Sequence, residues 1–313
     1  MGLPLHLPQR IAQGGRVFEF IAFRVRGQVA IYRGVDAYLR IGPEAEVRRQ
    51  LAAQTKLQSL GTPAPQVLDQ GRMSTFYYYI ESSLGNTSLG TEFERTASKG
   101  LTASNATFDT MLKLVGALTN AQIQTLKPAN ARAPRLRPLK IDRLLGEAPW
   151  LRSAVNATIR RAFARLAAVP LCVCHGDFNP YNMFSDGVVD FEHSFNGWLG
   201  YDAVYNLVHS QLFPISAVGV QPSRTYSFTT EQVDRYIQLA DSLCQAHHIM
   251  PLSDRLDDLA ALRCLKSAAN TVRTGAPFAS LQRWRRAELP RLLDIYLNGG
   301  DVLAVLYRDR GIA

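Results

Sequence analysis

The chain is poor in cysteine: Cys172, Cys174, Cys244 and Cys264 are the only four, each in an apolar setting. That excludes a disulfide framework and a cysteine-rich zinc module. Cys172 and Cys174 alternate on one strand, a spacing poorly suited to a bridge. Free thiols, and with them a cytoplasmic location, are the expectation. No apolar run reaches the ~18 residues that a membrane span needs. Met1-Gly2-Leu3-Pro4-Leu5-His6 lacks the basic-then-apolar order of a signal peptide, and His6 stands where a myristoylation signal needs Ser or Thr. Stacked-aromatic RNA motifs, zinc-finger spacing and long basic runs are missing too, so neither membrane nor nucleic acid is an expected partner. No internal repeat or low-complexity tract is seen.

What remains is a chain of 313 residues with room for two domains or one bilobal one. Basic residues outnumber acidic ones, 35 to 26, giving a formal charge of +9. The plain reading is solubility; the functional one is attraction to anions such as nucleotide phosphates or an acidic substrate.

Residues 16–25, 28–33 and 37–41 are rich in aromatic and β-branched residues and read as a three-stranded antiparallel meander, turned at Arg26-Gly27 and Gly34-Val35-Asp36. Gly42-Pro43 opens a helix with Glu44 and Glu46 in its first turn, ending near Gly61. Strands follow at 66–71 and 75–81. The polar stretch 85–104 reads as a linker or surface loop. Helices are then predicted at 107–125, 150–166, 201–212, 230–247, 254–273 and 279–298.

One hairpin interrupts the helices. Residues 171–174 form a short apolar strand, and Cys174-His175-Gly176-Asp177-Phe178-Asn179-Pro180-Tyr181-Asn182 a polar loop. A tight turn at Ser185-Asp186-Gly187 then leads through Val188-Val189 into Asp190-Phe191-Glu192. Asn182 and Asp190 sit at opposite ends of that hairpin and can converge on one hard cation, which takes oxygen ligands. Asp177 can reach past the metal to an acceptor hydroxyl and take its proton. Taken singly, each is as readily a turn or cap residue; the joint pattern carries the reading.

This stretch resembles the aminoglycoside phosphotransferases and choline kinases, small-molecule relatives of protein kinases. The loop resembles the family's catalytic loop, Val189-Asp190-Phe191-Glu192 its metal-binding motif, and Gly200-Tyr201-Asp202 the Gly-x-Asp that opens the next helix. The resemblance implies an α+β, bilobal protein kinase-like fold. Residues 1–84 would be the nucleotide-binding lobe and 85–313 the catalytic and acceptor-binding lobe. It implies Asp177 as the catalytic residue, Asn182 and Asp190 as Mg²⁺ ligands, ATP as donor with GTP the alternative, and a small-molecule hydroxyl as acceptor. His175 would anchor the loop. Asp202 would brace the loop or contact substrate. Glu192 and Trp198 would face the acceptor, and His193 and His209 are read as incidental. Only eleven residues lie between Asp190 and Asp202, too few for a protein-kinase activation loop.

The nucleotide side departs from the family pattern. Where a kinase strand carries a phosphate-binding Lys, Tyr38-Leu39-Arg40-Ile41 offers Arg40; a second register nominates Arg33. The helix carboxylate that would hold this cation is Glu46, with Gln50 the gap-free alternative. Gly14-Gly15 and Arg26-Gly27 are both candidates for the phosphate-covering loop, and neither makes G-x-G-x-x-G. Glu81 and Leu84 fall where the hinge would meet the base. The missing Lys keeps open a catalytically impaired nucleotide-binding protein. A metallophosphoesterase on Asp177, Asp190, His175 and His193 would need Asp-x-His and Asn-His motifs, which are absent. The basic run Arg132, Arg135, Arg137, Lys140 and Arg143, against a single Asp142, is a solvated loop or an attractor of an anionic acceptor.

Overall fold

The computed structural model describes residues 7–24, 27–97, 101–128, 139–215, 220, 222–270 and 276–308. Arg26 of the first predicted turn and the arginines at 132, 135 and 137 lie outside the described residues.

The first part is a six-stranded antiparallel sheet with one helix. Strands β1 (Arg10–Gln13), β2 (Arg16–Arg24), β3 (Val29–Arg33) and β4 (Ala37–Gly42) precede helix α1 (Glu44–Gln58), and β5 (Val67–Met73) and β6 (Phe76–Ser82) follow it, in the order β1-β2-β3-β4-β6-β5. The meander is therefore four strands long, not three. Gly14 and Gly15, at φ 57° and 72°, turn β1 onto β2 at the sheet's edge. Alternation along the strands divides the apolar residues between two faces. Phe18, Tyr32, Leu39 and Ile80 cluster on one; Val29, Tyr77 and Tyr79 meet Val47 and Leu51 of α1 on the other.

The predicted linker contains helix α2 (Leu89–Thr96), capped by the Ser88 hydroxyl, which accepts from Thr91 N at 3.2 Å. Phe93 anchors it by stacking on Tyr226, with ring centroids 4.8 Å apart. Helices α3 (Asn105–Ile123), α4 (Ile141–Glu147) and α5 (Arg152–Arg165) come next. The hairpin region follows: β7 (Leu171–Cys174), β8 (Met183–Phe184), β9 (Gly187–Val188) and β10 (Phe195–Trp198). The chain ends in α6 (Tyr201–Val208), α7 (Thr230–Ala246), α8 (Leu256–Ala269), α9 (Ala276–Leu297) and α10 (Val302–Arg308). Helix α8 is buried on almost every side, packed by α4, α5, α6, α9 and α10. This α+β arrangement, a curled sheet with one helix followed by a mostly helical part, is the protein kinase-like fold.

Two details bear on the site. Strand β10, unforeseen in the sequence, pairs antiparallel with β7, and Trp198 lies opposite Leu171 and edge-on to Phe163 at 4.8 Å. Trp198 is thus a core residue and not an acceptor-facing one. The β8–β9 hairpin is also tied to the connector after α1: Val188 N donates to Pro63 O at 2.9 Å. A Cβ on Gly187 would stand 2.7 Å from the same oxygen, so only glycine permits that approach.

Candidate active site

Strand β7 delivers the loop that carries Asp177, and three buried contacts hold it. Gly176, at φ 83°, passes so close to the chain after β9 that a Cβ there would meet His193 O at 2.1 Å. His175, fully buried, accepts from Asp177 N through Nδ1 at 3.2 Å and so donates from Nε2 to Val189 O at 2.9 Å. Its ring packs against Phe178 and Phe191. Asp202, at the start of α6, accepts from His175 N (2.6 Å), Gly176 N (2.9 Å) and the Gln122 amide (2.7 Å). This buried carboxylate satisfies two loop N–H groups that would otherwise be orphaned.

Asp177 and Asn182 are brought together. The Asn182 amide nitrogen donates to Asp177 O at 2.9 Å and to Asp177 Oδ2 at 3.2 Å. Its Oδ1 therefore faces away, and it accepts no hydrogen bond among the described residues. Burial pushes the Asp177 carboxyl up, but His193, Lys266, Arg263 and His175 outweigh it, and the net direction is below the ordinary range. The residue is a carboxylate, ready to accept a proton.

Asp190 follows β9 with a left-handed backbone, φ 69°, which aims its carboxylate at the sheet. Two arginines meet it there: Arg24 Nη2 at 3.2 Å from Oδ2 and Arg40 Nη1 at 3.4 Å from Oδ1. Arg40 is also bound by Glu81 of β6, Nε to Oε1, at 2.7 Å. The partner of the strand cation is thus Glu81 and not Glu46. Arg40 and Glu81 both rise from the interior of one sheet, on neighbouring strands, whereas Glu46 bonds Arg49 and Gln50 on its own helix. Arg49 in turn donates to the carbonyls of Ser194 and Glu192, tying α1 to the loop after β9. Gln50, the other candidate, is buried on that helix. The alternative register also separates from the site, since Arg33 is exposed and bonds Asn86 at 2.7 Å. Leu84 packs near Gly187 in the segment joining sheet and helices.

Glu192 lies 3.1 Å from His193 Nε2 and 3.7 Å from Arg24. Burial pushes its carboxyl up; His193, Arg24 and Arg40 together hold it below the ordinary range. His193 is therefore part of the charge balance, since it faces Asp177 as well.

Asn182 Oδ1 and the Asp190 carboxylate are hard oxygen donors and fit Mg²⁺, which typically takes one or two protein ligands and completes its shell with phosphate and water. Among the described residues no group of three or more His, Cys, Asp or Glu could hold a metal, so an all-protein cage is not the arrangement here.

On its helical side Asp177 meets groups that the sequence did not single out. The Tyr205 hydroxyl lies within electrostatic reach of it, and Lys266 Nζ donates to Gly176 O at 3.1 Å. Arg263 lies over the Tyr205 ring, 3.1 Å from its centroid. His209 is buried among Tyr181, Tyr205 and Phe213, and that burial pushes it down to about 3, so its imidazole is neutral. Lys140, from the predicted basic run, bonds Asn270 at 2.8 Å.

A curled sheet with a buried cation, a loop aspartate beside an asparagine, and a second aspartate at the sheet–helix junction together define a protein kinase-like phosphotransferase. A profile of the phosphotransferase enzyme family matches residues 23–221, and the chain belongs to that family. No curated sequence matches it. Among solved structures it is similar to an ethanolamine kinase from Plasmodium vivax (TM-score 0.55, 12% identity, covering 90% of this chain and 82% of that one). It is also similar to an aminoglycoside phosphotransferase in a ternary complex with ADP and hygromycin B (0.54, 13%, 91% and 95%). A third is an amicoumacin kinase in complex with AMP-PNP, Ca²⁺ and its substrate (0.53, 13%, 92% and 91%). At these identities the likeness is one of fold.

Proposed function

We propose that the chain transfers the γ-phosphate of ATP, with Mg²⁺, to a hydroxyl of a small molecule. The observation that carries this is the pairing of Asp177 with Asn182 next to Asp190, on a loop held by Asp202. Phosphoryl transfer asks a protein mainly for position and charge neutralisation. In the reaction the acceptor oxygen bonds to the γ-phosphorus while the bridging bond to the β-phosphate breaks. ADP leaves with the electron pair, and Asp177 takes the hydroxyl proton. Mg²⁺, when bound through Asn182 and Asp190, neutralises phosphate charge. Arg40 takes the place of the usual Lys; it is held by Glu81 and placed beside Asp190. Residues 1–84 serve as the nucleotide lobe, with Leu84 at the hinge, and 85–313 as the catalytic and acceptor lobe.

The test is ADP release in the presence of Mg²⁺ across a panel of hydroxyl compounds, set against Asp177→Ala. Loss of a general base lowers turnover by about 10²–10⁴-fold. Equal ADP release from both proteins overturns the reading and leaves a nucleotide-binding protein without catalysis.

A further inference from the structure

We infer that the acceptor is itself an anion: a small hydroxyl compound bearing a carboxylate or phosphate group, gripped by Arg263 with Lys266 and Arg285 beside it. This rests on the kinase reading above and specifies its substrate class.

Arg263 is 3% exposed and rises from α8 beneath the rings of Tyr201 and Tyr205. A guanidinium stays charged wherever it is placed, and burying it without an opposite charge is unfavourable. Yet Arg263 makes no salt bridge among the described residues, and its Nε and Nη1 have no hydrogen-bond partner there. Lys266, one turn further along α8, donates to the Gly176 carbonyl, and Arg285 of α9 to the Leu212 carbonyl at 2.9 Å. Neither meets a carboxylate within ion-pair distance among the described residues. Asp177 and Asp202, the nearest acids, are committed: one to the acceptor hydroxyl, the other to the N–H groups of the loop. Arg263 and Lys266 thus stand on the helical side of Asp177, whose carboxylate they favour, and Arg285 stands near Tyr205; none of the three makes a salt bridge among the described residues. The Nε–H and Nη1–H groups of Arg263 are left without an acceptor, and an anionic group is the strongest acceptor for such N–H groups.

The same surroundings are wrong for a cationic acceptor. Recognition of an ammonium group draws on acidic side chains or open aromatic faces. Here Arg263 already covers Tyr205 and Tyr201, and Arg285 lies 4.8 Å from the Phe213 centroid. Glu94, an acid at the rim, is engaged by the hydroxyls of Tyr181 (2.5 Å) and Thr225 (3.2 Å).

The test is a three-arm screen of Mg-ATP-dependent ADP release by the full chain. One arm holds anionic alcohols (glycerate and gluconate for carboxylate, glycerol phosphate for phosphate). The second holds amino alcohols and aminoglycosides, and the third neutral sugars and nucleosides. Stimulation confined to the first arm is expected, and its carboxylate and phosphate members show which anion is taken. Arg263→Gln should raise the KM of the active compound about thirtyfold or more, the effect of removing one partner of a buried charge pair. Arg263→Lys should recover part of it, and Arg285→Gln should move the same KM if Arg263→Gln fails to fold. Stimulation by cationic or neutral compounds equal to or above the anionic arm overturns the inference and leaves the kinase reading standing. An unchanged anion KM in Arg263→Gln and Arg285→Gln overturns it as well. Silence in all three arms removes both.

Discussion

Arg40 and Glu81 meet across adjacent strands, Nε to Oε1 at 2.7 Å, with side chains only 8% and 3% exposed. Breaking such a pair from one side leaves an uncompensated buried charge, at a cost of about 3–5 kcal/mol, whereas apolar replacement of both partners is often neutral. Arg40→Met alone, which leaves Glu81 buried without a salt bridge among the described residues while Arg24 stays with Asp190, should therefore lower the urea midpoint sharply, and Arg40→Met with Glu81→Leu should recover most of it. The double variant should still lose Mg-ATP binding by equilibrium titration. Single and double variants of equal stability would contradict this account of the pair.

On the proposed reading, Arg24 would compete with Mg²⁺ for Asp190. It sits 3.2 Å from Oδ2 and is 33% exposed, a setting in which an ion pair contributes about 0.2–1 kcal/mol. Arg24→Ala should lower the Mg²⁺ concentration for half-maximal ADP release by up to about fivefold. A higher Mg²⁺ requirement would instead make Arg24 a helper of the nucleotide phosphates.

Gly176→Ala should separate position from chemistry. The added methyl has no room beside His193 O, and the backbone at φ 83° disfavours any side chain. Displacing Asp177 by an ångström or so costs about 10²-fold in rate. The expected result is a fall in kcat of that order with KM for ATP little changed. A fall confined to the ATP KM would place the strain on the nucleotide side.

Lys266 gives the chain a pH signature. Burial, helped by Arg263 and Lys140 and opposed by Asp177 and Asp202, pushes its amine down from 10.5 to about 7. Between those values the unfolded chain holds a proton that the native chain does not, so stability rises with pH through that window. Below about 7 both states are protonated and the native chain carries the whole penalty. Lys266→Met should thus raise Tm more near pH ~6 than near pH ~9, in melts without nucleotide or acceptor. An equal gain at both would mean that the amine is not depressed.

The sequence makes legible what is contiguous in it. The loop holding Asp177 and Asn182, and Asp190 beyond it, lies within one short stretch, so spacing alone marks them as one group. Helices with a strong apolar period were readable for the same reason. Strand β1 was not, because Arg10-Ile11-Ala12-Gln13 has one large apolar residue and pairs only as an edge. Helix α2 hid in a polar stretch because few of its residues, Phe93 among them, bury a large side chain. Arg24 and Arg263 reach the site from far along the chain, and Glu81, expected at the hinge, pairs with Arg40; a partner chosen by tertiary approach leaves no spacing to read. Glu46 was favoured by its place in α1, but the helix offers it Arg49 and Gln50 at closer quarters. Trp198 read as acceptor-facing until β10 turned it inward.

The bond from Val188 N to Pro63 O restricts how the cleft can breathe. It fastens the metal-side hairpin to the connector between α1 and β5, while residues 83–88 form a second attachment nearby. Arg49 of α1 and the arginines at Asp190 add side-chain ties across the same junction. The backbone bond differs from these in surviving any change of charge or side chain. Salt that loosens the ion pairs should therefore leave Gly187 seated on the connector while Arg24 and Arg49 let go.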